Sequence, residues 1–398
     1  MNISKERTSG APHIPEELNA CINAASTVVF SPGRINLIGE FTDYNKGFVL
    51  PAAIDKGVYV AITPRTDQTI QLYSIDFKEN YQTTIQELAL SANASWPNYL
   101  LGVVSEFRKS GISVTGFDAA ITGNMPIGSG LSSSAAVECA TAMALNHLFQ
   151  SRFDKLQMVQ LSQRAENVFV GVQCGIMDQF ASMFGRADHA IKLDCRSLDY
   201  EYIPLSMDGL RIVLLNTTVK HSHGSSAYNE RRAQCEAGVA ILRQHEPGVA
   251  FLRDATLEMV TRHLLKEDAT IYKRCKFIVE ENERVVGAGE DLKNGDLLSF
   301  GKKMYASHHG LQNLFEASCT ELDFLVDSVR NNPNVLGARM MGGGFGGCTI
   351  NLVKTEAVET LISEVSLSYS QSMHLELTPH IASIESGTTM LKQPATHA

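Results

Sequence analysis

The sequence lacks the features that mark a membrane protein or a disulfide-stabilised one. No run of about 18 apolar residues occurs, which is the length that a membrane span needs. The eight cysteines include no CxxC pair, and several lie in apolar surroundings. They therefore favour free, buried thiols in a reducing compartment over disulfides or a zinc site. Since the first residues are polar and carry no apolar signal region, we expect a cytoplasmic protein.

The chain also lacks an excess of positive charge. It has 34 lysine and arginine residues against 43 aspartate and glutamate residues, which gives a formal net charge of −9. Because nucleic-acid backbones are bound by basic faces, this charge argues against a nucleic-acid partner, although a local cationic pocket remains compatible with it. The 398 residues, 44% of them hydrophobic, indicate a globular protein of two domains.

Strand and helix patterns are mixed along the whole chain, which predicts an α/β or α+β fold. A turn near Met207 to Leu210 suggests a boundary between an N-terminal domain, 1–208, and a C-terminal domain, 209–398. The first dozen residues and the last eight, LKQPATHA, are predicted to be loosely held. Strands are predicted around 28–30, 58–62, 70–73, 119–121 and 210–215, and helices over 131–149, 155–170 and 228–244.

A polar cluster lies near the N-terminal end, in the segment SPGRINLIGEFTDYNKGFVLPAAI. Apolar residues flank it and imply burial, and buried polar groups need hydrogen-bond partners. A sugar supplies such partners, because each hydroxyl both donates and accepts. A solvated hairpin tip is the plain alternative, and a ligand site is the better fit. The polar members are Arg34, Asn36, Glu40, Asp43, Tyr44 and Asn45.

A loop rich in glycine and serine, PIGSGLSSSAA, precedes a predicted helix. The N–H groups of a helix start point at one spot, where the helix dipole favours an anion. Glycine lets the backbone approach a phosphate, and serine hydroxyls can bind Mg²⁺. One serine would be enough for an N-cap, so the triplet Ser132, Ser133 and Ser134 favours phosphate binding. The loop is not a Walker A site, because it lacks GxxxxGK[ST].

A second glycine cluster, MMGGGFGGCT, formally satisfies GxGxxG. It lies near the C-terminal end and precedes a strand pattern, which argues against a dinucleotide-binding fold. Two interpretations stay open. The cluster lets the backbone approach a ligand or the phosphate loop closely, or it forms a mobile hairpin.

Two acidic residues in the middle of the chain are candidates for chemistry. Asp178 is flanked by apolar residues, and a carboxylate in such company is either a helix cap or a functional acid. Glu166 lies on a predicted helix, where a solvated surface charge is an equally good interpretation.

Taken together, these segments resemble the GHMP kinase superfamily and, within it, the galactokinase family. The likeness runs from about Phe30 to about Val353, and five motifs stand in the family's order: GRINLIGEFTDYN, PIGSGLSSSAA, CGIMDQF, SAYNERRAQCE and GARMMGGGFGGCT. The resemblance implies a two-domain GHMP kinase fold with a mixed-sheet N-terminal domain and a ferredoxin-like C-terminal domain. It also implies ATP-dependent phosphorylation of galactose at the C1 hydroxyl, with Mg²⁺ as cofactor, galactose and MgATP as ligands, and no obligatory protein partner.

The resemblance also implies roles for individual residues. Asp178 would be the catalytic aspartate, and Arg34 would keep its carboxylate ionised, ready to accept the proton of the sugar hydroxyl. The metal ligands would be Ser134 and Glu166. The sugar contacts would be Glu40, Phe41, Asp43, Gly175 and Tyr228. The ATP contacts would be Trp96, Gly128, Ser129, Gly130, Leu131, Ser132, Ser133 and Ser134.

Phe41 departs from the family pattern, which usually has histidine at this position. A phenylalanine ring lacks both of the hydrogen-bonding nitrogens that histidine has. Two alternatives therefore stay open: a GHMP kinase for a related sugar such as N-acetylgalactosamine, and a non-catalytic sugar sensor. The intact serine triplet and Asp178 favour an enzyme over a sensor.

Overall fold

The computed structural model describes residues 12–92, 95–126, 129–220 and 224–394. Within these ranges the strands form a six-stranded, a four-stranded and a three-stranded sheet. The strands are β1 (Thr27–Asn36), β2 (Phe48–Val49), β3 (Pro51–Pro64), β4 (Thr69–Ser74), β5 (Glu79–Thr84), β6 (Phe117–Gly123), β7 (His189–Asp194), β8 (Tyr200–Pro204), β9 (Leu210–Lys220), β10 (Val335–Met340), β11 (Gly346–Lys354), β12 (Thr378–Ala382) and β13 (Thr389–Lys392).

The six-stranded sheet is mixed, with the order β13-β1-β3-β6-β4-β5. Its neighbours are antiparallel except for β4 and β6, which run parallel. The four-stranded sheet has the order β10-β11-β9-β12 and is antiparallel throughout. The small third sheet joins β2, β7 and β8. In β4 the inward positions Ile70 and Leu72 alternate with half-buried residues, as the two-residue period of a strand requires.

The helices cover the faces of these sheets. Several begin at a side-chain cap: Asp154 and Gln157 form a reciprocal capping box before α4, and Asp268 accepts from two N–H groups at the start of α8. The α-helices are α1 (Glu16–Asn19), α2 (Trp96–Lys109), α3 (Ser133–Leu148), α4 (Lys155–Arg164), α5 (Met177–Phe184), α6 (Gly224–His245), α7 (Leu257–Leu264), α8 (Ala269–Lys293), α9 (Leu297–Gly310), α10 (Thr320–Val329) and α11 (Val358–Met373).

Two π-helical turns and two 3₁₀ turns complete the helical structure of the described ranges. The π-helical turns, Ala165–Val170 and Leu311–Phe315, continue α4 and α9. The 3₁₀ turns are Leu252–Asp254 and Thr355–Ala357. No helix in the part of the chain that the structure describes is long and apolar enough to cross a membrane.

Two apolar cores position the site. The larger one lies between the six-stranded sheet and α2 to α5, so that α3 and α5 pack directly on β1. The other joins the end of β1 to the four-stranded sheet, where Ile35 and Leu37 pack with Ile212 and Ile350. Every residue of β1 is buried. Residues at its end are therefore held between both sheets.

The mixed α/β architecture predicted from the sequence is confirmed, and the predicted strands fall within β1, β3, β4, β6 and β9. The predicted helix 228–244 falls within α6, 155–170 spans α4 and its π-helical turn, and 131–149 extends past both ends of α3. All eight cysteines are free thiols, and five of them are buried. The expectation of a loose C-terminal end was wrong for Leu391 and Lys392, because β13 pairs with β1 there. Residues 1–11 lie outside the described residues. The boundary between 208 and 209 stays a prediction, and β13 returns from the far side of it to the first sheet.

Candidate active site

The centre of the site is an ion pair between β1 and α5. Arg34 donates from Nε to Asp178 Oδ1 over 2.7 Å and from Nη2 to Asp178 Oδ2 over 2.8 Å. This two-point contact fixes both the distance and the plane of the carboxylate. The Arg34 side chain is 4% exposed and that of Asp178 is 25% exposed, so the pair is accessible from the aspartate side. Burial lowers the pKa of Arg34, but the neighbouring carboxylates outweigh burial and raise it.

Three consecutive residues of the glycine–serine loop close around this ion pair. Arg34 donates from Nη1 to the Gly130 carbonyl over 2.7 Å, and its backbone N–H donates to the Leu131 carbonyl over 3.1 Å. The Ser132 hydroxyl donates to Asp178 Oδ2. The loop and the ion pair therefore form one hydrogen-bonded unit.

The loop leads into α3, where Ser132 is the N-cap residue. Its carbonyl accepts the first helical bond from Ala136 N–H over 3.1 Å, but its side chain makes no capping bond. Its backbone is left-handed, with φ 61° and ψ 52°, which costs a non-glycine residue about 1–2 kcal/mol. The N–H groups of the first turn have no partner inside the helix and can bind an anion.

The other predicted ATP contacts differ in their placement. Ser129 is buried and its hydroxyl donates to a carbonyl of its own loop over 2.7 Å. Ser133 is exposed at the first position of α3, and Gly128 lies outside the described residues. Trp96 is half-buried at the start of α2, where its indole N–H donates to Glu79 over 2.8 Å. No bond links Trp96 to the loop in the described part of the chain, so its role stays a prediction.

Asp43 and Gly175 lie in direct contact beside the ion pair. A Cβ atom built at Gly175 would be 1.9 Å from Asp43 Oδ2, so only glycine leaves room for this carboxylate. Asp43 Oδ1 accepts from the Tyr44 N–H over 2.9 Å. Burial raises the pKa of Asp43 to about 6, and the nearby Asp178 carboxylate adds to the effect. The structure thus brings two predicted sugar contacts together with the predicted catalytic aspartate.

The carboxylate of Glu40 is held inside the protein. Its Oε2 pairs with Arg339 Nη2, and its Oε1 accepts from the Gly342 N–H over 2.9 Å. Arg339 also donates from Nη1 to the Asn36 carbonyl over 2.9 Å. The side chain of Arg339 is 0% exposed and Glu40 is 1% exposed. Burial raises the pKa of Glu40, although Arg339 acts to lower it. The predicted sugar contact therefore joins the polar N-terminal segment to the second glycine cluster.

Phe41 belongs to a cluster of aromatic rings. Its ring centroid lies 4.5 Å from that of Phe315, 5.5 Å from Tyr228 and 6.4 Å from Tyr44. The residue is buried and has a left-handed backbone, with φ 66°. Burial raises the pKa of Tyr228 well above its ordinary value, so its hydroxyl is neutral. Phe41 thus packs against Tyr228, which is a predicted sugar contact.

A group of buried acids lies behind the start of α3. The Gln179 side-chain amide donates to Glu138 Oε2 over 3.0 Å and to Glu166 Oε2 over 2.7 Å. Ser134, one turn before Glu138 on α3, lies near the Glu166 carboxylate and acts to lower its pKa. Burial, together with the charge of Asp178, raises the pKa of Glu166 to about 7. Burial likewise raises the pKa of Glu138.

These donors suit a magnesium ion. Mg²⁺ in phosphoryl-transfer sites takes one or two carboxylates and completes its shell with substrate phosphates and water. Glu166 lies near Ser134 in the first turn of α3, and the buried acids Glu138 and Glu166 share the neutral Gln179 amide as donor. Among the described residues no three acid, histidine or cysteine side chains form a complete metal site. Ser134 and Glu166 would therefore fit a metal ion whose remaining ligands come from a bound phosphate and water.

The sequence interpretation missed Glu138, Gln179 and Arg339. Glu138 lies four residues after Ser134 on a predicted helix, and this spacing, which places both on one face, is the signal that could have found it. Gln179 follows Asp178 directly, but nothing in the sequence indicates its partners. Arg339 is 299 residues from Glu40, and no local pattern connects the two.

Three sequence profiles match the chain. The profile of the galactokinase galactose-binding signature covers residues 19–64, that of the GHMP kinases N terminal domain covers 98–186, and that of the GHMP kinases C terminal region covers 290–371.

Similar proteins extend over nearly the whole chain. A galactokinase of Fusobacterium nucleatum subsp. nucleatum is 41% identical over 91% of this chain and 94% of its own length. A galactokinase of Thermotoga petrophila is 42% identical over 88% of this chain and 96% of its own length. The crystal structure of Lactococcus lactis galactokinase complexed with galactose superposes with a TM-score of 0.87 at 36% identity and covers 92% of this chain and 95% of its own.

Proposed function

The chain belongs to the galactokinase family of the GHMP kinases, and we propose that it transfers the γ-phosphoryl group of ATP to the C1 hydroxyl of galactose. It is a phosphotransferase with an alcohol group as acceptor, built on the two-domain GHMP kinase fold. The observation that supports the chemistry best is the Arg34–Asp178 pair enclosed by the glycine–serine loop. It places a fixed carboxylate next to an anion-binding helix start.

Asp178 keeps capacity to accept one further hydrogen bond. A carboxylate has about four lone-pair sites. Among the described residues, Oδ1 accepts from Arg34 alone, whereas Oδ2 accepts from Arg34 and from Ser132. One site on Oδ1 is therefore left for a sugar hydroxyl, whose proton it can take as the oxygen attacks the phosphorus. Arg34 holds the carboxylate in place by its two-point contact, and it adds positive charge near the phosphoryl oxygens, where negative charge builds up.

The sugar would lie against Asp43, Gly175 and Tyr228. The Asp43 carboxylate accepts a hydroxyl hydrogen when ionised, and Gly175 leaves the space for it. Tyr228 provides a neutral hydroxyl on the aromatic wall. These groups orient the acceptor oxygen toward Asp178, and such positioning supplies much of the rate in phosphoryl transfer.

The start of α3 would hold the phosphates of ATP through the backbone N–H groups of Ser133 and Ser134. Ser134 and Glu166 would hold Mg²⁺, which when bound screens the phosphate charges. Glu166 is oriented for this by its bond from Gln179.

A kinase for a related sugar is the second candidate, because Phe41 replaces the usual histidine. In the structure Phe41 packs against Phe315 and Tyr228, so its ring would shape a wall of the proposed sugar site and would offer no hydrogen bond. Galactose is the first choice because the galactose-binding signature and the galactokinase relatives match this chain.

ADP release across a panel of sugars tests the proposal. With MgATP we expect galactose to be the best acceptor, with weaker turnover of N-acetylgalactosamine and 2-deoxygalactose. Asp178→Asn keeps the shape and removes the proton acceptor, so kcat falls about 10²–10⁴-fold. No sugar phosphate from galactose or its epimers would refute the kinase, and near-normal kcat in the variant would refute the role of Asp178. Preference for N-acetylgalactosamine would support the second candidate.

A further inference from the structure

We infer that the side chain of Ser132 is a positioning residue for Asp178 and not a phosphate contact. This inference rests on the proposed function and concerns which atom of Asp178 takes the proton. It starts from the hydroxyl of Ser132, which donates to Asp178 Oδ2. The sequence interpretation had placed Ser132 with the ATP contacts, beside Ser133 and Ser134.

The local structure around Ser132 allows its bond to Asp178, and α3 lacks a side-chain cap as a result. A serine at an N-cap normally turns its oxygen toward the N–H groups of the first turn. Ser132 occupies the N-cap of α3 but makes no such bond, and its backbone is left-handed, with φ 61°. Non-glycine residues rarely adopt this conformation outside sites where the surrounding structure imposes it.

The surrounding bonds explain how the conformation is imposed. The carbonyls of Gly130 and Leu131 are bound by the side chain and the backbone N–H of Arg34. Ser132, the next residue in the chain, is therefore held beside Asp178, the partner of Arg34. Turned left-handed, Ser132 points its hydroxyl at Asp178 Oδ2.

The consequence for the reaction is a choice between the two oxygens of Asp178. Oδ2 accepts from Arg34 and from Ser132, so its two lone pairs are taken. Oδ1 accepts from Arg34 only, within the part of the chain that the structure describes. Ser132 thus leaves Oδ1 as the oxygen that receives the sugar proton, and it reinforces the orientation that the two-point contact with Arg34 gives the carboxylate.

The test compares Ser132→Ala, Ser132→Gly, Asp178→Asn and the double variant Ser132→Ala/Asp178→Asn with the wild type. Steady-state kinetics with galactose and MgATP give kcat and KM, and calorimetric titration gives the Kd of MgADP. Ser132→Gly accepts the left-handed backbone without strain, so it separates the hydroxyl from the conformation. Thermal unfolding of each variant shows that it is folded.

We expect Ser132→Ala and Ser132→Gly to lower kcat about 10- to 100-fold, the effect of losing a hydrogen bond to a charged group. The KM for ATP and the Kd of MgADP should stay within about twofold of the wild type. The double variant should be no slower than Asp178→Asn alone, because the serine acts only through the aspartate.

Three results would overturn the inference. A normal kcat with about tenfold weaker MgADP binding would make Ser132 a phosphate contact. Normal kcat in Ser132→Gly would mean that only the backbone matters, and additive losses in the double variant would mean that the serine acts independently of Asp178. A wild type that forms no galactose phosphate would instead refute the proposed function, and this inference with it.

Discussion

Position 175 requires glycine because a side chain has no room there, and not because of its backbone conformation. Its Cβ position is filled by the Asp43 carboxylate, with Oδ2 at 1.9 Å and Cγ at 2.1 Å. Unlike Gly171, whose φ is 92°, it has no left-handed backbone that would demand glycine. An alanine there would have to displace Asp43, which lies inside the protein and cannot move freely.

Gly175→Ala should therefore impair sugar binding first. We expect the KM for galactose to rise at least about tenfold, with a smaller change in the KM for ATP. The matched control is Gly248→Ala, since a Cβ at Gly248 meets nothing within 4 Å. Equal kinetics of Gly175→Ala and wild type would show that Asp43 is free to shift without loss.

Asp43 gives a prediction for stability against pH. Below a pH of about 3.9 it is protonated in both the folded and the unfolded chain, and contributes nothing. As pH rises toward 6 the unfolded chain loses this proton, while burial, which raises the pKa of Asp43 to about 6, keeps it on the folded protein. Stability therefore falls across this window and stays lower above it, by about 2–3 kcal/mol at most.

Asp43→Asn removes this effect, and we expect it to stabilise the protein by about 1–2 kcal/mol at pH 7.5 and by less at pH 5. Urea unfolding at the two pH values measures the difference. The same variant should bind galactose more weakly, since it replaces an anionic acceptor with an amide. A variant less stable than wild type at pH 7.5 would mean that the folded protein gains from the charge.

At the scale of elements, one buried ion pair connects β10 to the segment after β1. Arg339 at 0% exposure faces Glu40, and Glu40 in turn accepts from Gly342 at the head of the second glycine cluster. A Cβ at Gly342 would lie 3.2 Å from the Gly130 carbonyl, so this cluster packs against the glycine–serine loop. The pair thus joins three motifs that are far apart in sequence.

Arg339→Met would leave the Glu40 carboxylate buried without its cation. Such a loss typically costs about 3–5 kcal/mol, and we expect a destabilisation in that range by urea unfolding. Arg330→Met is the control, because Arg330 pairs with Asp327 at the surface and should cost no more than about 1 kcal/mol. Equal stability of the two variants would mean that Glu40 protonates or finds other donors at little cost.

Elements with strong local signals were predictable from the sequence. The helix over α3 and the strands β1, β3 and β9 follow from side-chain patterns that act over a few residues. The π-helical turn at Ala165–Val170 was predicted as ordinary helix, because the apolar period does not distinguish the two forms. β13 was missed because four half-buried residues carry too little pattern.

The site was predictable only in part, because several of its contacts join segments that are far apart in the sequence. Motifs indicated Arg34, Asp178 and the serine loop as neighbours through resemblance. The sequence could not show that Ser132 gives up its capping bond, or that Gln179 bridges Glu138 and Glu166, since both depend on contacts between distant segments. Propensity and periodicity act locally, whereas these contacts are set by tertiary packing.

At the scale of the whole molecule, β13 returns the end of the chain to its beginning. Val28 pairs with Lys392 and Phe30 with Thr389. The Thr388 hydroxyl contacts the Ser31 hydroxyl at 2.8 Å and donates to the Ser182 carbonyl over 2.9 Å. Ser182 lies on α5, which carries Asp178, so the end of the chain supports both sides of the Arg34–Asp178 pair.

Removing residues 386–398 should therefore lower both the stability of the protein and its activity, because these residues support the elements that carry Arg34 and Asp178. Several backbone and hydroxyl bonds are lost at about 1 kcal/mol each, and we expect the apparent Tm to fall by roughly 5–10 °C, with reduced kcat. The control removes only 395–398, beyond β13, and should behave as wild type. A full-length Tm in the longer truncation would show that β13 contributes nothing to the sheet.

Because β13 is formed by residues 389–392, the six-stranded sheet can be completed only late in synthesis. The residues of β1 and of its neighbour β3 have been made by residue 64, but β13, the neighbour on the other side of β1, is made only at residues 389–392. At about 5–20 residues per second, the ribosome needs roughly 20–70 s to reach it. During that time β1 presents an unpaired strand edge, the kind of surface on which nascent chains associate with one another. Chaperone demand and aggregation of this protein in cells should therefore depend on how fast the middle of its message is translated.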